Sequence, residues 1–407
     1  MITHDRHVTS VATSSHYPLV VQRAQGSIVE DVDGNRFLDF TAGVSVCSTG
    51  HCHAHVVRAI EKQARKLIHI GSNHFCNESM LTLADKLAEI SPGRQNKRVL
   101  LTNSGTEAVE AAIKLARHYT GRKNLVAFYG AFHGPTMGAL SLSASESLQR
   151  QHFGPFVPMV HHVPYGDLDA IENRLFKMDC TPGEVAAIFV EPILADAGHI
   201  VPPAGFLEGL RTLCDRHGIL LVVDETRTGM GRTGKMFCCE YDNLVPDLLL
   251  LAGGIASGLP LGALIAHESI ATWPRSIQGS TCAGNPISCA AALATIDLLE
   301  RRLIDNATDL APMAMTKLQQ VAHDHRCITA PRGRGLMLAV DVVKSSRSHE
   351  PDPKLRDRIL AEAFSRGLLL LGCGPSAICF TPPLCMNRVQ LEVGLDVFDE
   401  AVATVAM

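Results

Sequence analysis

The 407-residue chain carries 37 Lys and Arg against 41 Asp and Glu, a formal charge of −4, with 46% apolar and 19% charged residues. That balance suits a globular protein of more than one domain. It leaves no basic footprint, so nucleic acid is not expected as a partner. Thirteen cysteines, an odd number without a Cys-x-x-Cys pair, read as reduced thiols of a cytoplasmic protein rather than a disulfide framework. The polar start MITHDRHVTS lacks the apolar stretch of a secretory signal.

The first element is a hairpin over 29–40, VEDVDGNRFLDF, turning at Asp33-Gly34. Cys47, His51, Cys52, His53 and His55 follow, but their spacing matches no zinc pattern and no metal is expected. Short apolar runs at 98–102, 124–128, 186–190, 219–223, 248–251 and 262–266 then alternate with helical stretches such as 107–117, EAVEAAIKLAR. Alternation of this kind predicts a mostly parallel sheet covered on both faces. Ligands bind such sheets at the carboxyl ends of the strands.

Residues 248–266 hold no charge and approach the about 20 residues that cross a bilayer. Four glycines and Pro260 within them predict two short strands and a turn instead, so no membrane association is expected. The C-terminal part has a helix over 354–366 and strands over 335–342 and 377–381. The expected organisation is an N-terminal segment, 1–50, joining a small domain, a large domain over 51–300, and the C-terminal small domain over 301–407.

The strand ends carry the chemistry. Asn103-Ser104-Gly105-Thr106-Glu107 opens a helix and offers amides, hydroxyls and the positive helix end to a phosphate. The same residues also read as a capping box, with Ser104 as the cap and Glu107 three residues on. At Tyr129-Gly130-Ala131-Phe132-His133-Gly134, glycines permit close approach and a ring could stack on a planar ligand; a packed Phe132 and a solvated His133 are the plainer alternative. Asp224, ending the run ILLVVD, is costly to bury without a partner, and a charged one is expected. Gly279 to Pro286, GSTCAGNP, is a second phosphate contact or a simple helix start with Pro286 in its first turn. A serine-hydrolase elbow and a nucleotide-triphosphatase loop are both missing from the sequence.

In this order the motifs LLTNSGTEAVEAAIKLAR, FYGAFHGPTMGALSLS, VEPI, LLVVDETRTGMGRTGKMF, LAGGIASGLPLGA, GSTCAGNPISCAAA and FTPPL resemble the class III aminotransferases of the ornithine and 4-aminobutyrate type. The resemblance implies an α/β fold type I transferase, with a mostly parallel seven-stranded central sheet, helices on both faces and a smaller α+β domain. It also implies pyridoxal 5′-phosphate, or pyridoxamine 5′-phosphate, as cofactor and an amine or amino-acid-like substrate. Ser104, Gly105 and Thr106 would hold the phosphate and Phe132 would stack on the pyridine ring, with His133 beside it. Asp224 would pair with the ring nitrogen, making the ring an electron sink. Glu191 and Arg227 would join Asp224 in the catalytic set. Thr281 would reach the phosphate of a neighbouring subunit, which implies a homodimer with shared active sites.

Four motifs depart from the family pattern. The family's Leu-Ala-Lys-Gly carries the lysine that holds the cofactor covalently and shuttles the substrate proton; here that position is Gly253. Arg227 replaces a glutamine near the cofactor's phenolic oxygen, and Leu194-Ala195 replaces Gln-Gly. Cys379 stands where an arginine often receives a substrate carboxylate, removing a bidentate clamp. Neither Lys235 nor Lys114 reads as a substitute. Three readings follow: an enzyme that binds the cofactor noncovalently and runs altered chemistry, an inert subunit completing the site of a lysine-bearing homologue in a heteromer, or an ordinary transaminase whose glycine was introduced as a trap.

Overall fold

A computed structural model describes residues 10, 17–93, 95–345, 347 and 349–406. Strands β1 (Val21–Gln25), β2 (Ile28–Asp31) and β3 (Arg36–Asp39) form an antiparallel meander. Asp31 closes the expected turn, its Oδ1 accepting from the amides of Asp33 and Asn35 at 2.9 and 2.8 Å. Short polar side chains that bond their own backbone in this way are why Asp and Asn favour turns.

The central sheet contains β4 (Lys97–Thr102), β5 (Asn124–Phe128), β6 (Val160–Val163), β7 (Val185–Val190), β8 (Leu220–Asp224), β9 (Leu248–Leu251) and β10 (Gly262–His267), in the order β4-β10-β9-β8-β7-β5-β6. Only β10 runs antiparallel to its neighbours. Every residue of β5, β7, β8 and β9 is buried, as a sheet covered on both faces requires. Successive side chains point to opposite faces, and the cores follow that alternation. Val126, Phe128, Leu221, Val223, Leu249 and Leu251 enter one cluster. Leu125, Ala127, Leu220, Val222, Leu248 and Leu250 enter the other, with the helix Gly105–Thr120 packed on them.

The uncharged run 248–266 resolves into β9 and β10 joined through a short 3-10 turn, Gly253–Ala256, with Leu251 opposite Ala263. Among the described residues no helix is long and apolar enough to cross a membrane.

Strands β11 (Arg332–Arg334), β12 (Met337–Asp341), β14 (Leu371–Cys373) and β15 (Ala377–Phe380) form an antiparallel sheet in the order β11-β12-β15-β14. Strand β13 (Leu368–Leu369) instead lies parallel to β3, so residues from both ends of the chain share one sheet. The reduced-thiol expectation needs a correction here, because Cys373 and Cys379 are joined as a disulfide with their Cα atoms 6.3 Å apart. Neighbouring antiparallel strands β14 and β15 bring them together, which spacing along the sequence does not disclose. The other eleven cysteines are free.

Candidate active site

Five strand ends, those of β4, β5, β7, β8 and β9, converge on one place. Asp224 is the last residue of β8 and is 1% exposed. The sequence does not single out His133 as its partner, yet His133 Nδ1 lies 2.7 Å from Asp224 Oδ2, while the Thr226 amide donates to Oδ1 at 3.0 Å. His133 is fully buried and its Nε2 has no hydrogen-bond partner. The solvated-histidine alternative is therefore wrong.

Glu191, just beyond β7, is 2% exposed and accepts from the amides of Phe132 at 2.9 Å and Ala195 at 3.2 Å. Burial, reinforced by the charge of Asp224, pushes its carboxyl well above the usual range. Both oxygens hold backbone, so Glu191 fixes where the Phe132 ring starts. Phe132 itself is half-buried.

The helix Gly105–Thr120 starts behind Ser104, whose Oγ accepts from the Glu107 amide at 3.4 Å. Glu107 does not return the bond to Ser104; its carboxylate takes the Asn103 amide at 2.9 Å and the Asn103 side chain. The first-turn amides of Gly105 and Thr106 have no acceptor within a helix. Both residues are half-buried. The loop carrying His133 packs tightly on this turn, since a Cβ on Gly134 would sit 2.4 Å from Thr106 Oγ1. Thr106 Oγ1 also meets Thr136 Oγ1 at 2.6 Å, and Thr136 donates to Glu110 at 2.6 Å.

Gly253 follows β9 with φ +47°, and a Cβ there would lie 2.6 Å from the Thr226 carbonyl oxygen and 3.8 Å from that of Ser45. A Cβ on Gly105 would meet Thr226 Cγ2 at 3.0 Å and Ala252 Cβ at 3.3 Å, so the helix start, Thr226 and the 252–253 turn are contiguous. Arg227 donates from Nη1 to the Val44 carbonyl at 3.2 Å and stands 3.8 Å from Asp196. Val44 belongs to a run, Ala42 to Ser45, with φ between +48° and +67°, a left-handed stretch that costs about 1–2 kcal/mol for each residue bearing a Cβ.

Beside the phosphate turn, Ser280 Oγ accepts from Asn103 Nδ2 at 2.8 Å. Thr281 is exposed, and the helix Pro286–Leu298 is capped by Asn285 rather than left open for a phosphate. Lys114 donates to the Ile277 carbonyl and Lys235 to that of Glu240, at 3.1 and 3.2 Å. The early His and Cys cluster disperses: His51 bonds Asp39, His53 bonds Arg302, and His55 pairs with Asp297. His199 and Arg232 are neighbours that sequence reasoning missed. Burial, with Arg227 adding to it, lowers His199 to about 3 and Arg232 to about 10. Their loops give no periodic signal that would mark them.

A buried carboxylate at a strand end, beside a helix start and the loop carrying Phe132 on a mostly parallel seven-stranded sheet, is the arrangement of a fold type I transferase. The family profile described as "Aminotransferase class-III" matches residues 9–402, and the chain belongs to that family. It is 41% identical to the acetylornithine aminotransferase of Methanopyrus kandleri, covering 94% of both chains. It is 37% identical to the alanine/serine racemase of Pyrococcus horikoshii, covering 95% of this chain and 86% of the relative. Among solved structures, a PLP-bound amine transaminase from an uncultivated Pseudomonas species has a TM-score of 0.89 at 30% identity, covering 98% of each chain.

Proposed function

We propose that the chain binds pyridoxal or pyridoxamine 5′-phosphate without a covalent bond and acts on an amine or amino-acid-like substrate as a homodimer in the cytoplasm. The fit with the cofactor rests on the convergent strand ends. Gly105 and Thr106 would bind the phosphate, helped by the Thr106 hydroxyl. Phe132, fixed by Glu191, would cover one face of the ring. Asp224 would hold the pyridine nitrogen, and His133 would keep that carboxylate oriented through its Nδ1–H. When bound, the cofactor supplies an electron sink for charge developing on the substrate carbon.

The observation that carries the noncovalent reading is the backbone at Gly253. Its left-handed φ and the Thr226 oxygen 2.6 Å from a would-be Cβ leave no room for a side chain. The chain therefore offers no amine at the turn where the family has its lysine, and the neighbouring Arg227 guanidinium provides fixed positive charge instead. The further departures at Leu194, Arg227 and Cys379 argue against a glycine introduced into an otherwise ordinary transaminase. Binding is tested by equilibrium dialysis with the phosphorylated cofactor: uptake in the micromolar range is expected, and failure to retain it at that concentration would contradict the reading.

A further inference from the structure

The geometry points to a soft-metal site formed by His199, Cys373 and Cys379 when the Cys373–Cys379 disulfide is reduced. Nδ1 or Nε2 of His199 and both Sγ atoms lie within 4.8 Å of one another. His199 Nδ1 faces the Leu338 carbonyl at 3.0 Å, and a carbonyl can only accept, so Nδ1 carries the proton and Nε2 is the nitrogen left with a lone pair for a metal.

The frame is fixed before any metal arrives. His199 is 2% exposed and has φ +53°. Its loop is tied by the Gly374 amide donating to Asp196 O at 2.8 Å and by Arg332 Nε donating to Gly198 O at 2.7 Å. Strand β12, which supplies Leu338, pairs with β15 so that Ala339 lies opposite Cys379. Access exists as well, since Cys373 lines a cavity of about 900 Å³ together with Tyr17, Val44 and Phe364.

One imidazole and two thiolates suit Zn2+ or Cu+, and three protein ligands leave a position open on zinc. The structure records the oxidised form. A dithiol reductant would break the S–S bond, become a disulfide itself and leave two thiols; metal binding then releases their two protons. On the function proposed above, a cation here puts positive charge where the family's carboxylate-binding arginine is replaced by Cys379, so its open position receives a substrate carboxylate.

The test uses the full chain without the pyridoxal cofactor, so that its outcome is independent of the proposed function. Reduced, metal-free protein titrated with Co2+ is expected to bind one ion per chain with thiolate-to-cobalt absorption. Cys379→Ser and His199→Gln should each weaken binding by about tenfold or more, whereas Cys52→Ser should not. Oxidising the unaltered chain with diamide should abolish the absorption with no substitution at all. No cobalt absorption in the reduced chain, or binding in both ligand variants as tight as in the unaltered chain, would overturn the site. Adding 4-aminobutyrate, but not butylamine, should shift the cobalt bands; equal spectra with the two would overturn the carboxylate role.

Discussion

At Asp224 a charge sits at the end of an apolar strand, and the need for a partner follows from the sequence alone. The identity of that partner, His133, does not, because the two residues are 91 positions apart and meet only when β5 and β8 are aligned in the sheet. Replacing Asp224 with Asn keeps the shape and removes the charge. Hydrogen bonds to charged groups are worth about 1.5–3 kcal/mol, so cofactor affinity should fall by about 10- to 100-fold, read by fluorescence titration. Gly253→Lys is expected to lower stability by at least about 1–2 kcal/mol in urea unfolding, the cost of a left-handed side-chain-bearing residue to which the close Thr226 oxygen adds, and not to restore lysine-dependent transamination. An unchanged unfolding midpoint would show that the turn adapts easily. The glycine itself was legible in the sequence, whereas its blocked Cβ direction was not.

At the scale of elements, the strands buried on both faces were the readable part. Runs such as AAIFV and LLLL leave little choice of environment, and β7, β8, β9 and β10 lie within one or two residues of the expected boundaries. Strand β6, VHHV, was not anticipated, since two histidines in four residues give neither alternation nor a continuous apolar run. Its place is set by parallel pairing with β5. The helix at Gly105–Thr120 began where Ser104 suggested, but Glu107 reaches back to Asn103 instead of completing a capping box. Ser104→Ala should cost about 1 kcal/mol in stability through loss of the cap. The same change should weaken binding of the phosphorylated cofactor more than that of unphosphorylated pyridoxal, if this turn holds the phosphate.

Across the whole molecule, the N-terminal meander is tied to the segment leading into the large sheet by His51 and Asp39, 2.7 Å apart. The hydrogen bond to Asp39, with a second to the Cys47 sulfur, raises His51 to about 10. An unfolded histidine titrates near about 6.5, so the stabilisation is fully present below that value and is lost as pH rises through the folded value. The difference in melting temperature between the native chain and His51→Asn should therefore shrink steadily from about pH 6.5 towards 10. A difference that grows over that range would contradict the pairing. The exposed Thr281 belongs to the same scale: if it completes a neighbour's site, Thr281→Ala weakens cofactor binding in the dimer without changing the fold of the subunit.

Noncovalent binding of the cofactor at a site without its lysine is the central claim, and borohydride tests it most directly. The chain is mixed with pyridoxal 5′-phosphate, its absorption recorded, borohydride added, and the protein passed through a desalting column before mass measurement. The expected result is cofactor bound before reduction and a chain of unaltered mass afterwards, with all pyridoxyl absorption in the small-molecule fraction. A stoichiometric phosphopyridoxyl adduct on one lysine of the chain would contradict it.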